Sequence, residues 1–273
     1  SFTVNKKKFI ESFLFFSKNK KLNKKDILIN FHKAYAKARN IDYSKKKILF
    51  IHTHLLSLTK LFIKIFYLKK FEFIHTIRHP LSSISSPIKT WLNYKAGSNF
   101  FPKDLFFHLD LVLKSINDLK KINKVHVFQL EKIHTQNIKL MRGFCKKFKI
   151  KYEKILTKST KNGLTWWGDS VSKRWISGVN KKFTINIDEQ YFYERDLQYI
   201  EFLAADIIKK YDYSNLYPKK KIYFNFIPMK CELLVWQNTI KHLFNNGFRW
   251  KHLLSIPIFY ILRLFFLNKI SLK

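Results

Sequence analysis

I-L-F-I-H-T-H-L-L-S-L (residues 48–58), F-E-F-I-H-T-I-R-H-P (71–80) and L-S-S-I-S-S-P-I-K-T-W (81–91) are the stretches whose reading decides the fold class. The first opens on a short, continuous apolar run, the pattern of a strand buried on both faces of a parallel sheet, and residues 71–77 of the second read as the next strand. Each run ends in polar groups: His52 and His54 on the first, Arg78 on the second. Because 52 and 54 differ by two, a strand would point both histidines to one face. Residues 55–68 have helical length and periodicity, so the order over 47–77 is strand, helix, strand, the signature of a right-handed parallel crossover. Pro80 suits the first turn of the next helix, and Ser82, Ser83, Ser85 and Ser86 follow it closely. In open α/β sheets, ligands sit at the carboxyl ends of strands, beside helix N-termini that favour anions. The stretch therefore points to an anionic, phosphate-bearing ligand held near a histidine.

Working outward, residues 5–40 carry apolar positions at helical spacing (Phe9, Ile10, Phe13, Leu14) among lysines and predict helices. Residues 105–121 predict a further helix, 124–129 a third strand, and the following segment a helix through about Phe148. The cluster T-K-S-T-K-N-G-L-T-W-W-G-D-S lies within residues 155–185, which read as a long ordered loop. Residues 189–210 predict one amphipathic helix, ended by Y-D-Y-S-N-L-Y-P at 211–218. Beyond Pro218 the composition shifts to a basic, aromatic tail. The expected division is a domain over 1–217 and a helical extension over 218–273. Residues 253–267 (L-L-S-I-P-I-F-Y-I-L-R-L-F-F-L) are apolar, but too short to span a bilayer comfortably and interrupted by Pro257 and Arg263. They read as a helix that either packs on the domain or lies in a membrane interface, making 249–269 a candidate membrane-surface contact.

The 273 residues carry 47% hydrophobic and 17% aromatic side chains, enough for a sizeable core. The net charge of +35 invites a nucleic-acid reading. Only seven of the 53 basic residues are arginines, however, and the lysines are dispersed rather than striped. Arginine does most planar recognition of bases and phosphates, so specific nucleic-acid binding is not expected. Cys145 and Cys231 have no metal-like spacing and form no disulfide framework, which fits a reducing, cytoplasmic setting, with any membrane association peripheral and at the inner face. No metal cluster is apparent.

At Arg78 the pattern becomes recognisable. I-R-H-P-L-S-S-I-S-S (77–86) resembles the 3′-phosphate-binding motif of sulfotransferases, an arginine at a strand end and a serine eight positions later; Arg78 and Ser86 stand at that spacing. H-T-H-L-L (52–56) is similar to the K-T-H-L-P segment of the soluble members, with His54 on the catalytic-base histidine and His52 on the preceding lysine. V-F-Q-L-E-K-I (127–133) resembles the family's strand ending in an acidic residue, here Glu131, which reads as structural rather than catalytic. K-N-G-L-T-W-W-G-D (161–169) falls where these enzymes place a glycine-containing phosphate-contacting loop, adding Lys161, Asn162 and Gly163 to the candidate nucleotide site. The resemblance covers roughly 45–213 in the right order and is to a bacterial-type member.

What the resemblance implies is an α/β fold of the P-loop type: a three-layer domain with a central parallel sheet flanked by helices. It implies transfer of a sulfuryl group from 3′-phosphoadenosine 5′-phosphosulfate to an acceptor hydroxyl of a small molecule, glycan or glycolipid, without a metal. His54 would be the base and His52 an orienting or charge-stabilising group. Trp166, Trp167 and Trp175 either wall the acceptor site or anchor the loop. The family's 5′-phosphosulfate turn, P-K-S-G-T-T or P-R-S-G-T-T after a first strand, does not precede residue 48, and T-K-N-G-L-T-W (160–166) only mimics it. Since the chain starts at Ser1, the expectation is that this turn lies upstream; a chain without it is not expected to be active. Two other classes remain open: a non-catalytic basic protein that binds nucleic acid or membranes, and a nucleotide-dependent phosphoryl transferase.

Overall fold

The structure is a computed structural model, which describes residues 4–18, 21–44, 49, 51–53, 56–66, 71–93, 100–119, 125–158, 160–161, 164–165, 168–169, 174–175, 179, 185, 187–217, 226–246 and 250–271. It falls into two compact units, Ser1–Glu72 and Phe73–Lys273. The chain is mostly helical.

In the first unit, α1 (Lys6–Ser17) and α2 (Lys24–Ala38) form a helical pair. Asparagine caps both: the Asn5 side chain accepts the Lys8 N–H at 3.1 Å and that of Asn23 the Asp26 N–H at 2.9 Å, each satisfying a donor left over by the first turn. The pair is closed by Phe9 against Phe31, ring centroids 5.0 Å apart and edge-on, and by the buried Asn30, whose amide donates to the Phe16 carbonyl at 3.0 Å. A third helix, α3, spans Leu56–Ile65. The strand expected over 47–54 is not formed in its described part: residues 49 and 51–53 have no regular structure, and Leu49 and Ile51 are exposed. A short apolar run reads as a strand only if partners bury it, and periodicity carries no information on that.

In the second unit, β1 (Phe73–Ile77) pairs in parallel with β2 (Val125–Gln129), in register from Phe73 opposite Val125 to Ile77 opposite Gln129. Between them run α4 (Pro80–Asn93) and α5 (Pro102–Leu119), so the parallel crossover is made by two helices. Pro102 takes the first helical position of α5, and Asp104 reaches back to accept the Phe101 N–H at 3.0 Å, which starts the helix three residues earlier than its apolar pattern does. After β2 come α6 (Leu130–Thr135) and α7 (Asn137–Lys147).

The expected long loop contains a 3₁₀ turn at Lys154–Thr157 and two-residue strands. β3 (Thr160–Lys161) is antiparallel to β4 (Leu164–Thr165), and β5 (Gly168–Asp169) to β6 (Arg174–Trp175). The single helix expected over 189–210 is three pieces: a 3₁₀ turn at Glu189–Tyr191, α8 (Glu194–Leu203) and α9 (Ala205–Lys210). The break falls at Ala204, and α8 starts late because the Asp196 carboxylate caps the Tyr193 N–H at 2.9 Å. The last helices are α10 (Lys230–Asn246) and α11 (Trp250–Ser271).

The main core is where α4, α5, α8 and α10 meet. Leu81, Ile84 and Ile88 line one face of α4 at three- and four-residue steps and pack with Leu105, Leu109, Leu197, Ile200 and Val235. A smaller cluster joins Leu113 and Tyr199 to Ile207 and Ile208. The helices that follow residue 218 are therefore core elements: α11 packs on α5, α8 and α10, and the fully buried Arg263 makes a two-pronged ion pair with Glu232, both contacts at 3.0 Å.

Pro87 lies inside α4 without ending it. Proline there removes the donor that would satisfy the carbonyl four residues back, that of Ser83. The His108 Nε2, at 3.2 Å from that oxygen, supplies it from α5.

Candidate functional site

Both strands of the parallel pair end at one edge, and the side chains that follow them meet there. The Glu131 carboxylate, one residue into α6, accepts the backbone N–H of His79 at 2.8 Å through Oε1 and the Tyr213 hydroxyl at 3.0 Å through Oε2. Glu131 therefore ties the exit of β1 to the exit of β2 and to a turn 82 residues further on. His79 is fully buried; its Nε2 is 3.1 Å from the Ser214 carbonyl oxygen, which can only accept, so this nitrogen carries the proton. Its ring also lies edge-on to Tyr213 at 5.3 Å. A third tie comes from the Gln129 amide, at the last residue of β2, which donates to the Tyr211 carbonyl. The turn can double back so sharply because Asp212 adopts a left-handed conformation (φ 54°), one that aspartate tolerates better than most side chains.

Electrostatics follow from this packing. Burial, then the Glu131 charge, raise the Tyr213 hydroxyl above its ordinary range, so it stays a proton donor at neutral pH. His134, one turn after Glu131, has its pKa lowered by burial and next by the Arg78 guanidinium, while Glu131 opposes this. Arg78 thus projects positive charge onto the groups at this edge. The Glu131 carboxylate sits at the N-terminus of α4, where its partner is the N–H of the residue before Pro80. An anion was expected at that helix end from outside; the position instead holds a built-in carboxylate.

The serines of α4 differ in what they do. Ser85 Oγ accepts the Asp188 N–H at 3.1 Å, the hydroxyl of Ser83 lies 3.5 Å from the Arg78 carbonyl, and Ser82 is fully buried. Ser86 is half-buried, and among the described residues its hydroxyl has no hydrogen-bond partner. Six residues past Pro80, it stands about 9 Å along α4 at the standard helical rise. Lys89, one turn later, is engaged by Asp188.

Of the residues expected at the site, Arg78, Ser86 and Glu131 belong to the second unit, Arg78 and Glu131 beside the strand ends and Ser86 farther along α4. His52 belongs to the first unit, exposed and without regular structure. Lys161 is in β3, opposite Leu164, and Trp175 is in β6, opposite Gly168. His54, Asn162, Gly163, Trp166 and Trp167 lie outside the described residues. Among the described residues no group of three or more His, Cys, Asp or Glu side chains is placed to hold a metal ion. Sequence reading missed His79, His134 and Tyr213. Only the H-P step at 79–80 gives any local signal, because the residue before proline must be extended. Comparison of the chain with protein-family models, with curated proteins and with solved structures finds no match.

Proposed function

We propose that the protein is a sulfotransferase-like enzyme of the P-loop type, and that Arg78 and Ser86 hold the 3′-phosphate of 3′-phosphoadenosine 5′-phosphosulfate. The observation that carries this reading is the arrangement at the edge of the parallel pair: Arg78 directly after β1, and on the helix that follows a Ser86 hydroxyl that no described protein group occupies. A guanidinium can form a bidentate pair with phosphate, and a nearby hydroxyl adds a neutral hydrogen bond. Glu131, His79 and Tyr213 supply the rigidity after Arg78, and the pairing of β1 with β2 supplies it before, so that the guanidinium starts from a defined position.

In the proposed reaction the acceptor hydroxyl oxygen attacks sulfur. The bond between sulfur and the bridging phosphate oxygen breaks, the acceptor proton passes to His54, and 3′-phosphoadenosine 5′-phosphate leaves. Imidazole, titrating near neutrality, suits the proton step. The acceptor we propose is a hydroxyl of a glycan, glycolipid or smaller molecule.

Isothermal titration with 3′-phosphoadenosine 5′-phosphate and, separately, with ATP tests the reading. The account expects the 3′-phosphorylated nucleotide to bind the full chain and ATP to bind far more weakly. Preference for ATP would replace it with a phosphoryl transferase. In a form of the protein that carries the family's 5′-phosphosulfate turn, His54→Ala should retain nucleotide binding and lose most turnover.

A further inference from the structure

The outward face of α11 inverts the usual order of a surface helix. Trp250, Leu254, Ile258, Ile261 and Phe265 recur at four-, four-, three- and four-residue steps, which places them in one stripe along the helix. They are 48% to 71% exposed. Two polar members of the same helix go the other way: Ser255 and Arg263 are buried, Arg263 against Glu232. Among the described side chains of α11, Lys251 is a charged residue on the exposed side, at the amino-terminal end of the helix. From Trp250 to Phe265 the stripe runs about 22 Å, as long as an interfacial helix needs and short of a bilayer span. No helix among the described residues is long and apolar enough to cross a membrane.

We propose that this face of α11 docks on an anionic phospholipid surface, with the helix lying in the plane of the interface. An apolar stripe of this length on a folded unit needs a cover, and the charge identifies which one: 53 lysines and arginines against 18 acidic residues give the chain a net +35. A lipid surface bearing negative headgroups satisfies both terms, the acyl boundary taking the stripe and the headgroups the positive field. A second copy of the chain would match the apolar stripe but bring another +35 against it. Trp250, at one end of the stripe, suits the headgroup boundary, where an indole buries its ring and keeps its N–H wet. The inference rests on the α11 stripe and the charge of the chain, and does not depend on the nucleotide site.

Vesicle co-sedimentation of the full chain tests it, using neutral phosphatidylcholine vesicles and vesicles with about 30 mol% phosphatidylserine. The expected result is binding to the anionic vesicles, reduced about tenfold or more by the triple variant Leu254→Gln, Ile258→Gln, Phe265→Gln, and weakened by salt. Thermal unfolding of the triple variant checks that the unit stays folded. Should it unfold, Lys251→Glu, an exposed substitution, must still weaken binding. Absence of binding to either vesicle overturns the proposal. So does undiminished binding by the variants, which would mean that charge alone holds the lipid. A wild-type dimer in light scattering that the triple variant converts to monomer, with no vesicle binding, would assign the stripe to self-association and equally overturn it.

Discussion

Replacing Glu131 by alanine should unfasten the edge at which the candidate site is built. Two hydrogen bonds to a charged acceptor are lost together: the His79 N–H at 2.8 Å and the Tyr213 hydroxyl at 3.0 Å. The first is the more costly, because His79 is fully buried and its N–H is left without a partner, a penalty of about 1–3 kcal/mol. Tyr213 is only half-buried, so water can replace the carboxylate there and the loss is about 0.5–1 kcal/mol. The total expected is about 2–4 kcal/mol. Glu131→Gln keeps a carbonyl oxygen for His79 and should cost about 1 kcal/mol, similar to Tyr213→Phe. Urea unfolding of the three variants and of the double variant Glu131→Gln, Tyr213→Phe gives the order and, from the cycle, the coupling of the second bond. The reasoning fails if Glu131→Ala changes stability by less than about 0.5 kcal/mol, or if the glutamine variant costs as much as the alanine one.

Four further outcomes are expected. Arg263→Met leaves the buried Glu232 without its partner and should cost about 3–5 kcal/mol in denaturant unfolding, whereas Arg263→Met with Glu232→Met should recover most of it. Burial lowers the pKa of His108 below its ordinary value despite hydrogen bonds that oppose the shift, so below about pH 6.5 the unfolded chain binds the extra proton. Wild-type stability should accordingly fall as pH drops through that range, and His108→Gln, which keeps a donor but does not titrate, should show a shallower fall. Arg78→Ala removes a charge that depresses His134, so the His134 pKa should rise, readable from its imidazole resonances by NMR. Ile84→Ala empties a fully buried position of the main core and should cost about 2–5 kcal/mol by the same unfolding assay.

The unit β1–α4 and the strand β2 were legible because their signals are local: an apolar run closed by Arg78, His79 and Pro80, and a second run ending before Glu131. Residues 47–54 carry the same local signal, but their described members, 49 and 51–53, form no strand, since whether a run pairs depends on a partner elsewhere in the chain. Pro87 should have marked a helix end; α4 continues to Asn93 because a donor from α5, His108, satisfies the stranded carbonyl, a contact 25 residues away. The site divides along the same line. Arg78 and Ser86 stand out by spacing, whereas the roles of His79 and Tyr213 exist only through bonds to Ser214 and Glu131 across 135 and 82 residues. The inverted face of α11 was half legible: its apolar length could be read, but not that Arg263 points into the core and the hydrophobes outward.

The central claim is that Arg78 and Ser86 bind a 3′-phosphate, and calorimetry with a ligand that lacks this group tests it most directly. 3′-Phosphoadenosine 5′-phosphate and adenosine 5′-phosphate should be titrated into wild type, Arg78→Ala and Ser86→Ala. The account predicts that wild type prefers the first ligand by roughly two orders of magnitude, the worth of a charge-assisted phosphate contact, and that Arg78→Ala abolishes the preference while Ser86→Ala reduces it several-fold. An undiminished preference in Arg78→Ala, or none in wild type, would contradict it.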